Sequence, residues 1–196
     1  MFPVVLVGLA LVALVLRKRG TDADSGATAS ASGSSSASGS SSGGSVMPSD
    51  WNEAFGEPNG WDTAYPDADP SKVLPYTSAD LDPDFRAKLD QVIAAMTARR
   101  LDPKIYEGGR TQRRQAYLYG QGRSDFPVYG RTGSPVTWTL TSNHGAYPAR
   151  AVDVISKSKG WSDQAFFTAL GEEAKKVGLT WGGDWTSRDY PHLELA

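Results

Sequence analysis

From Thr21 to Ser45 the chain contains almost nothing but serine, glycine, alanine and threonine. Such a stretch has too little apolar surface to offset the entropy of ordering it, so it cannot join a core and reads as a flexible tether. The break confines folding to residues 46–196, and about 150 residues is an ordinary length for one domain. The material for a core is there: of six Trp, eight Tyr and six Phe, all but Phe2 lie beyond residue 50. Cysteine is absent, which excludes disulfides, thiolate metal ligands and a cysteine nucleophile. The chain has 20 Lys+Arg and 22 Asp+Glu; three and two of them precede Val46, leaving 17 against 20 and a net charge of −3 for the domain. With no basic stripe, a nucleic-acid partner is not expected.

Ahead of the tether, Phe2 to Leu16 (FPVVLVGLALVALVL) carries no charge and is followed at once by Arg17, Lys18 and Arg19. As a helix this run is about 22 Å long, short of the roughly 30 Å hydrocarbon core, so it spans only with snorkelling of the basic side chains or a thinned bilayer. A cleaved signal peptide fits less well, because no basic segment precedes the run and the Ala-x-Ala candidates lie far beyond it. The expectation is a membrane anchor over residues 1–20. Basic residues just after the run favour a cytoplasmic location for the chain beyond them.

The domain reads as α+β, a small antiparallel sheet packed with helices. Asp82-Pro83 has the form of an N-cap and first helical residue, and Phe85, Leu89, Val92, Ile93 and Met96 follow at helical spacing. Lys104–Glu107 predicts a short strand ahead of Gly108-Gly109. A second helix opens at Thr111 and runs past Tyr119, with Arg113 and Arg114 on its solvated face. Pro135–Thr141 (PVTWTLT) alternates like a strand. Ala151–Ile155 predicts another, with Asp153 on the face opposite Val152 and Val154. Ser162 caps a third helix that Gly178 stops, and Thr180–Trp185 and His192–Leu195 close the chain as strands.

The chain has only two histidines, His144 and His192, each near carboxylates. A catalytic zinc takes three protein ligands and keeps one position open, and imidazole and carboxylate both serve, so His144, Asp153 and His192 form a possible set. Taken singly they are a loop histidine, a turn or cap aspartate and a chain-end histidine. An aspartate between two valines of a strand is harder to dismiss, since a half-buried carboxylate needs a partner. Spacing alone leaves both readings open.

Three stretches, EGGRTQRRQAYLYGQGR (107–123), SNHGAYPARAVD (142–153) and GLTWGGDWTSRDYPHLEL (178–195), resemble the D-alanyl-D-alanine carboxypeptidase family of zinc peptidases. They look closest to its peptidoglycan L-alanyl-D-glutamate endopeptidase branch of phage endolysins and bacterial wall hydrolases. The family motif Ser-x-His-x-x-Gly-x-Ala-x-Asp is met by Ser142, His144, Ala151 and Asp153. Ala149 stands where Gly is usual, and two extra residues separate His144 from Asp153, which keeps the ligand types and leaves the loop geometry open. The resemblance implies a fold of the D-Ala-D-Ala carboxypeptidase/hedgehog-like type, with Zn2+ held by His144, Asp153 and His192.

It also implies roles for other residues. Asp189, three before the last histidine, is the proton carrier; Glu194, on the same face of its strand as His192, is the rival and otherwise a contact around the site. Arg110 stabilises an oxyanion or anchors a substrate carboxylate, against the alternative of a surface arginine at a helix start, where basic residues are disfavoured. Ser142, Glu194 and Trp185 are candidate substrate contacts, and Trp181 and Trp185 read as core or cleft wall. The implied protein is a peptidoglycan stem-peptide hydrolase with a monomeric catalytic domain, held at a membrane by residues 2–16 and working in the periplasm or wall. The alternatives are a D-alanyl-D-alanine carboxypeptidase or dipeptidase, and a wall-binding module that keeps zinc without turnover.

Overall fold

A computed structural model describes residues 55–196. The expected anchor at 2–16, the linker at 21–45 and the first residues of the expected domain lie outside the described residues. Among those described, no helix is long and apolar enough to cross a membrane.

Asp82 and Pro83 do what their types predict. The Asp82 carboxylate accepts from the amides of Asp84 and Phe85 at 3.0 and 3.1 Å and starts the helix Pro83–Ala98, which follows a shorter one, Gly60–Ala64. We label these α2 and α1. Phe85, Leu89, Val92 and Met96 share one face of α2 and are fully buried. Burial of each such side chain contributes about 1.5–3 kcal/mol. They pack with Phe166, Leu170 and Ala174 of the last helix, Gln164–Lys176 (α4), which Gly178 ends in the left-handed conformation at φ +71°. Asp163, one residue later than expected, caps it through the Phe166 amide. Thr111 caps α3, Gln112–Gly120.

Four strands, β1 (Pro103–Glu107), β2 (Ala151–Ser156), β3 (Thr180–Trp181) and β4 (His192–Glu194), make one antiparallel sheet in the order β1-β2-β4-β3. β2 is buried along its whole length. Val152 and Val154 join the core shared with α2, α4 and Leu193, so the period of two turns Asp153 to the other face. There Asp153 stands opposite Glu107 of β1 on one side and His192 of β4 on the other. The α+β expectation holds, and the register places three chemically active side chains side by side.

Two expected strands are corrected. Residues 135–141 form no strand: Val136 and Trp138 are 60% and 69% exposed, and the carbonyls of Thr139 and Leu140 are taken by the side-chain amides of Gln115 and Gln112. Their alternation is that of a strand, but side chains of the helix at 112–120 take their carbonyls in place of a ladder. The strand expected over Thr180–Trp185 stops at Trp181, where a single helical turn, Gly182–Asp184, begins. The Gly182 carbonyl accepts from both Trp185 and Asp189, and a Cβ on Gly182 would come within 2.5 Å of the Asp189 carbonyl oxygen. Only glycine lets the 182–191 loop fold back this closely.

Candidate metal centre

His144 reaches Asp153 and His192 from a different part of the chain. It sits in a single helical turn, Asn143–Gly145, that Ser142 caps by accepting the His144 amide at 3.3 Å. The His144 carbonyl accepts the Arg110 amide, which ties the turn to the start of α3. The two extra residues before Asp153 are absorbed on the outer side: Arg150 N donates to the Asn143 carbonyl, Trp61 Nε1 donates to Ala146 O at 2.6 Å, and the Tyr147 ring packs edge-on against Trp61. The loop therefore closes at its base and leaves His144 in place.

Two acceptors fix the imidazole tautomers. His144 Nδ1 lies 2.7 Å from Gly108 O, and a carbonyl only accepts, so the proton is on Nδ1 and the lone pair on Nε2. His192 Nε2 lies 3.1 Å from Glu194 Oε2, which in the neutral imidazole puts the lone pair on Nδ1. His144 Nε2 and His192 Nδ1 are 3.2 Å apart, and each is 3.4 Å from Asp153 Oδ1. Oδ1 is buried and has no hydrogen-bond partner; the 3.4 Å contacts are of ion-pair length and do not satisfy it. Three lone-pair atoms facing one another in a buried space repel unless a positive charge lies among them. Each of the three residues offers a ligand atom within 4.8 Å of the others, and two imidazoles with one carboxylate are a zinc-type donor set.

The electrostatics point the same way. Burial would raise the Asp153 carboxyl, but the attraction of His144, His192 and Arg110 around it holds it well below the usual carboxylate range. Burial lowers the His192 imidazole, yet Asp153 and Glu194 outweigh it and push the pKa up to about 9. The pull that favours a proton there also favours a metal cation.

The remaining candidates take distinct places. Glu194 Oε2 accepts from both His192 and Asn143 Nδ2, at 3.1 and 2.9 Å, and the His192 bond lowers its pKa. It fixes the orientation of the His192 ring. Among the described residues the Asp189 side chain makes no hydrogen bond, while its carbonyl accepts from His192 N. The Asp189 side chain as a whole is exposed, but its carboxyl is crowded by protein. That desolvation, with the negative charge of Asp153, raises its pKa against the opposing pull of His192, His144 and Arg110. Trp185 is 37% exposed, with its ring 5.0 Å from that of His192, and Trp181 lies in the core. The Ser142 hydroxyl is used on the His144 turn.

Arg110 is 8% exposed and largely committed within the protein. Nε and Nη2 grip the two oxygens of Glu107 at 2.9 and 3.0 Å, Nη1 donates to Gln115 Oε1 at 2.8 Å, and Nη2 reaches Asp153 Oδ2 at 3.5 Å. One Nη1 hydrogen is left over. Neither Arg113 nor Arg114 is the solvated residue expected. Arg114 is buried on Glu107 and Pro70 O, and Arg113 bonds Asp62 and Tyr65 O. The sequence reading missed Glu107, Gln115, Asn143 and the Gly108 carbonyl. For Glu107 a signal existed: a carboxylate ending a buried strand must find a cation, and three arginines follow within seven residues.

A family model described as D-alanyl-D-alanine carboxypeptidase matches residues 136–195, which contain His144, Asp153 and His192 together with Asp189 and Glu194. The chain is also 31% identical over 128 residues to the peptidoglycan L-alanyl-D-glutamate endopeptidase CwlK of Bacillus subtilis (strain 168). That match covers 60% of this chain and 74% of CwlK. The chain belongs to the D-alanyl-D-alanine carboxypeptidase family of peptidases. Within the matched span the sheet register and the 143–145 turn bring the ligand set together, while Arg110 and Glu107 enter from outside it.

Proposed function

We propose that this chain is a zinc-dependent peptidoglycan hydrolase that cuts the L-alanyl-D-glutamate bond of the stem peptide. The observation that carries the reading is the orphaned Asp153 Oδ1 facing the lone pairs of His144 Nε2 and His192 Nδ1. The name of the CwlK relative supports the choice of bond. His144 Nε2, Asp153 Oδ1 and His192 Nδ1 would hold the zinc, which when bound would supply Lewis-acid chemistry, polarising a carbonyl and lowering the pKa of water. Asp189, with its carboxyl unbonded and its pKa raised, takes the proton of the attacking water and returns it to the leaving amine. Glu194 is held by His192 and Asn143 and is left to orient its histidine. The remaining Nη1 hydrogen of Arg110 meets the carbonyl oxygen as it gains charge, or a substrate carboxylate. The exposed Trp185 ring walls the cleft beside His192.

The test is digestion of purified peptidoglycan by the full chain, with new amino termini identified by mass spectrometry. New D-Glu amino ends are expected. Free D-Ala in their place would make the enzyme a carboxypeptidase, and no release would make it a zinc-containing binder.

A further inference from the structure

The end of β1 presents a choice that the metal centre depends on. Glu107 and Asp153 are register partners on adjacent strands, so two carboxylates stand side by side within reach of the Arg110 guanidinium. A planar guanidinium binds one carboxylate best with two parallel N–H bonds. Here that fork falls on Glu107, at 2.9 and 3.0 Å, and Asp153 receives only a 3.5 Å contact at Oδ2. Had the fork fallen on Asp153, both of its oxygens would be engaged, and a carboxylate so occupied is a poor ligand. The alternating series Arg114, Glu107, Arg110, Asp153 ends instead on an oxygen with no partner, Oδ1, directed at the two imidazoles.

We propose that Glu107 is a positioning residue for the metal centre: by taking the Arg110 fork it keeps Asp153 Oδ1 free to bind the cation. Several features fix Glu107 in this task. It is 2% exposed, each of its oxygens accepts from both Arg110 and Arg114, and Gln115 Oε1 holds Nη1 of Arg110 from the far side. The Gln115 amide has only one orientation available, since its Nε2 donates to Thr139 O at 2.7 Å. The strand that carries Glu107 also supplies the next residue, Gly108, whose carbonyl fixes the His144 tautomer. One strand end thus sets two of the three ligands, Asp153 through Arg110 and His144 through Gly108.

This inference rests on the zinc reading of the site, and its test is zinc affinity measured on the full chain by competition with a chromophoric chelator. In Glu107→Gln the neutral amide no longer holds the fork, Arg110 turns to Asp153, and affinity falls by about tenfold to a hundredfold. Removing the competitor reverses the loss: Glu107→Gln/Arg110→Met returns to within about threefold of wild type, because the two effects are one interaction. Circular dichroism checks that each variant is folded. If Glu107→Gln does not fold, Arg110→Met alone decides, since Glu107 then still has Arg114. Affinity at least equal to wild type supports the proposal, and weaker binding overturns it by showing that Arg110 holds Asp153 in place. A folded Glu107→Gln with wild-type affinity, or a double variant no better than the single, overturns it equally. A wild-type chain that binds no zinc overturns the zinc reading of the site and this inference together, whereas tight wild-type binding with an unaffected Glu107→Gln overturns this inference alone.

Discussion

His192→Ala is expected to leave the protein nearly free of zinc, where the wild type holds close to one ion per chain. His192 supplies Nδ1, one of the three atoms that converge among the described residues, and two protein ligands rarely hold a catalytic zinc. His144→Ala should lose zinc to the same extent for the same reason. The two differ in what else they disturb. Both are buried, but His144 also gives up its bond to Gly108 O, whereas His192 borders the exposed Trp185. Elemental analysis after dialysis, with circular dichroism to confirm folding, reads the outcome. Stoichiometric zinc in either folded variant would show that the ligand assignment is wrong.

Asp189→Asn should separate base from ligand. The change is nearly isosteric and spares His144, Asp153 and His192, so zinc content should stay at the wild-type level while turnover falls by roughly a hundredfold or more. Its Gly182-anchored loop is held by backbone bonds that the amide does not touch. Glu194→Gln should cost less turnover. A glutamine oxygen can still accept from His192 Nε2, and the expected effect is a modest loss of zinc affinity from weaker orientation of the imidazole. If Glu194→Gln were the more damaging of the two with zinc retained, the two carboxylates would have exchanged roles.

Most of the frame was legible because it depends on local rules. Asp82-Pro83 and the spacing of Phe85, Leu89, Val92 and Met96 specify α2 without knowledge of its partners, and Gly178 ends α4 because an L side chain resists its backbone conformation. Asp153 was readable as a buried carboxylate from its two valine neighbours. The hidden features depend on partners distant in sequence. Arg113 and Arg114 have the spacing of an exposed helical face, and only the approach of Asp62 and Glu107 makes them interior. Residues 135–141 have the composition of a strand, but Gln112 and Gln115 of α3 take the carbonyls that a ladder would use. Trp61 and α1 rest on the Asn59 capping box, and Gly109 makes the room: a Cβ there would lie 2.4 Å from the Trp61 ring. Neither feature has a periodic signature.

The same limit applies within the site. The ligand types were visible as a motif and Glu194 by its place two residues after His192 on a strand, whereas Gly108 O, Asn143 and Glu107 act through bonds whose partners are set by tertiary packing. The two residues inserted before Asp153 left the loop geometry open in sequence. Trp61 and Asn143 show how it is resolved, by bonding the loop outward and closing its base.

The central claim is that a metal held by His144, Asp153 and His192 is required for cutting peptidoglycan. The most direct measurement strips the full chain with a chelator, verifies by elemental analysis that it is metal-free, and counts new amino termini released from purified peptidoglycan before and after zinc is returned. No release is expected from the stripped protein, with recovery on addition of about one equivalent of zinc. Undiminished release from protein shown to be metal-free would contradict it.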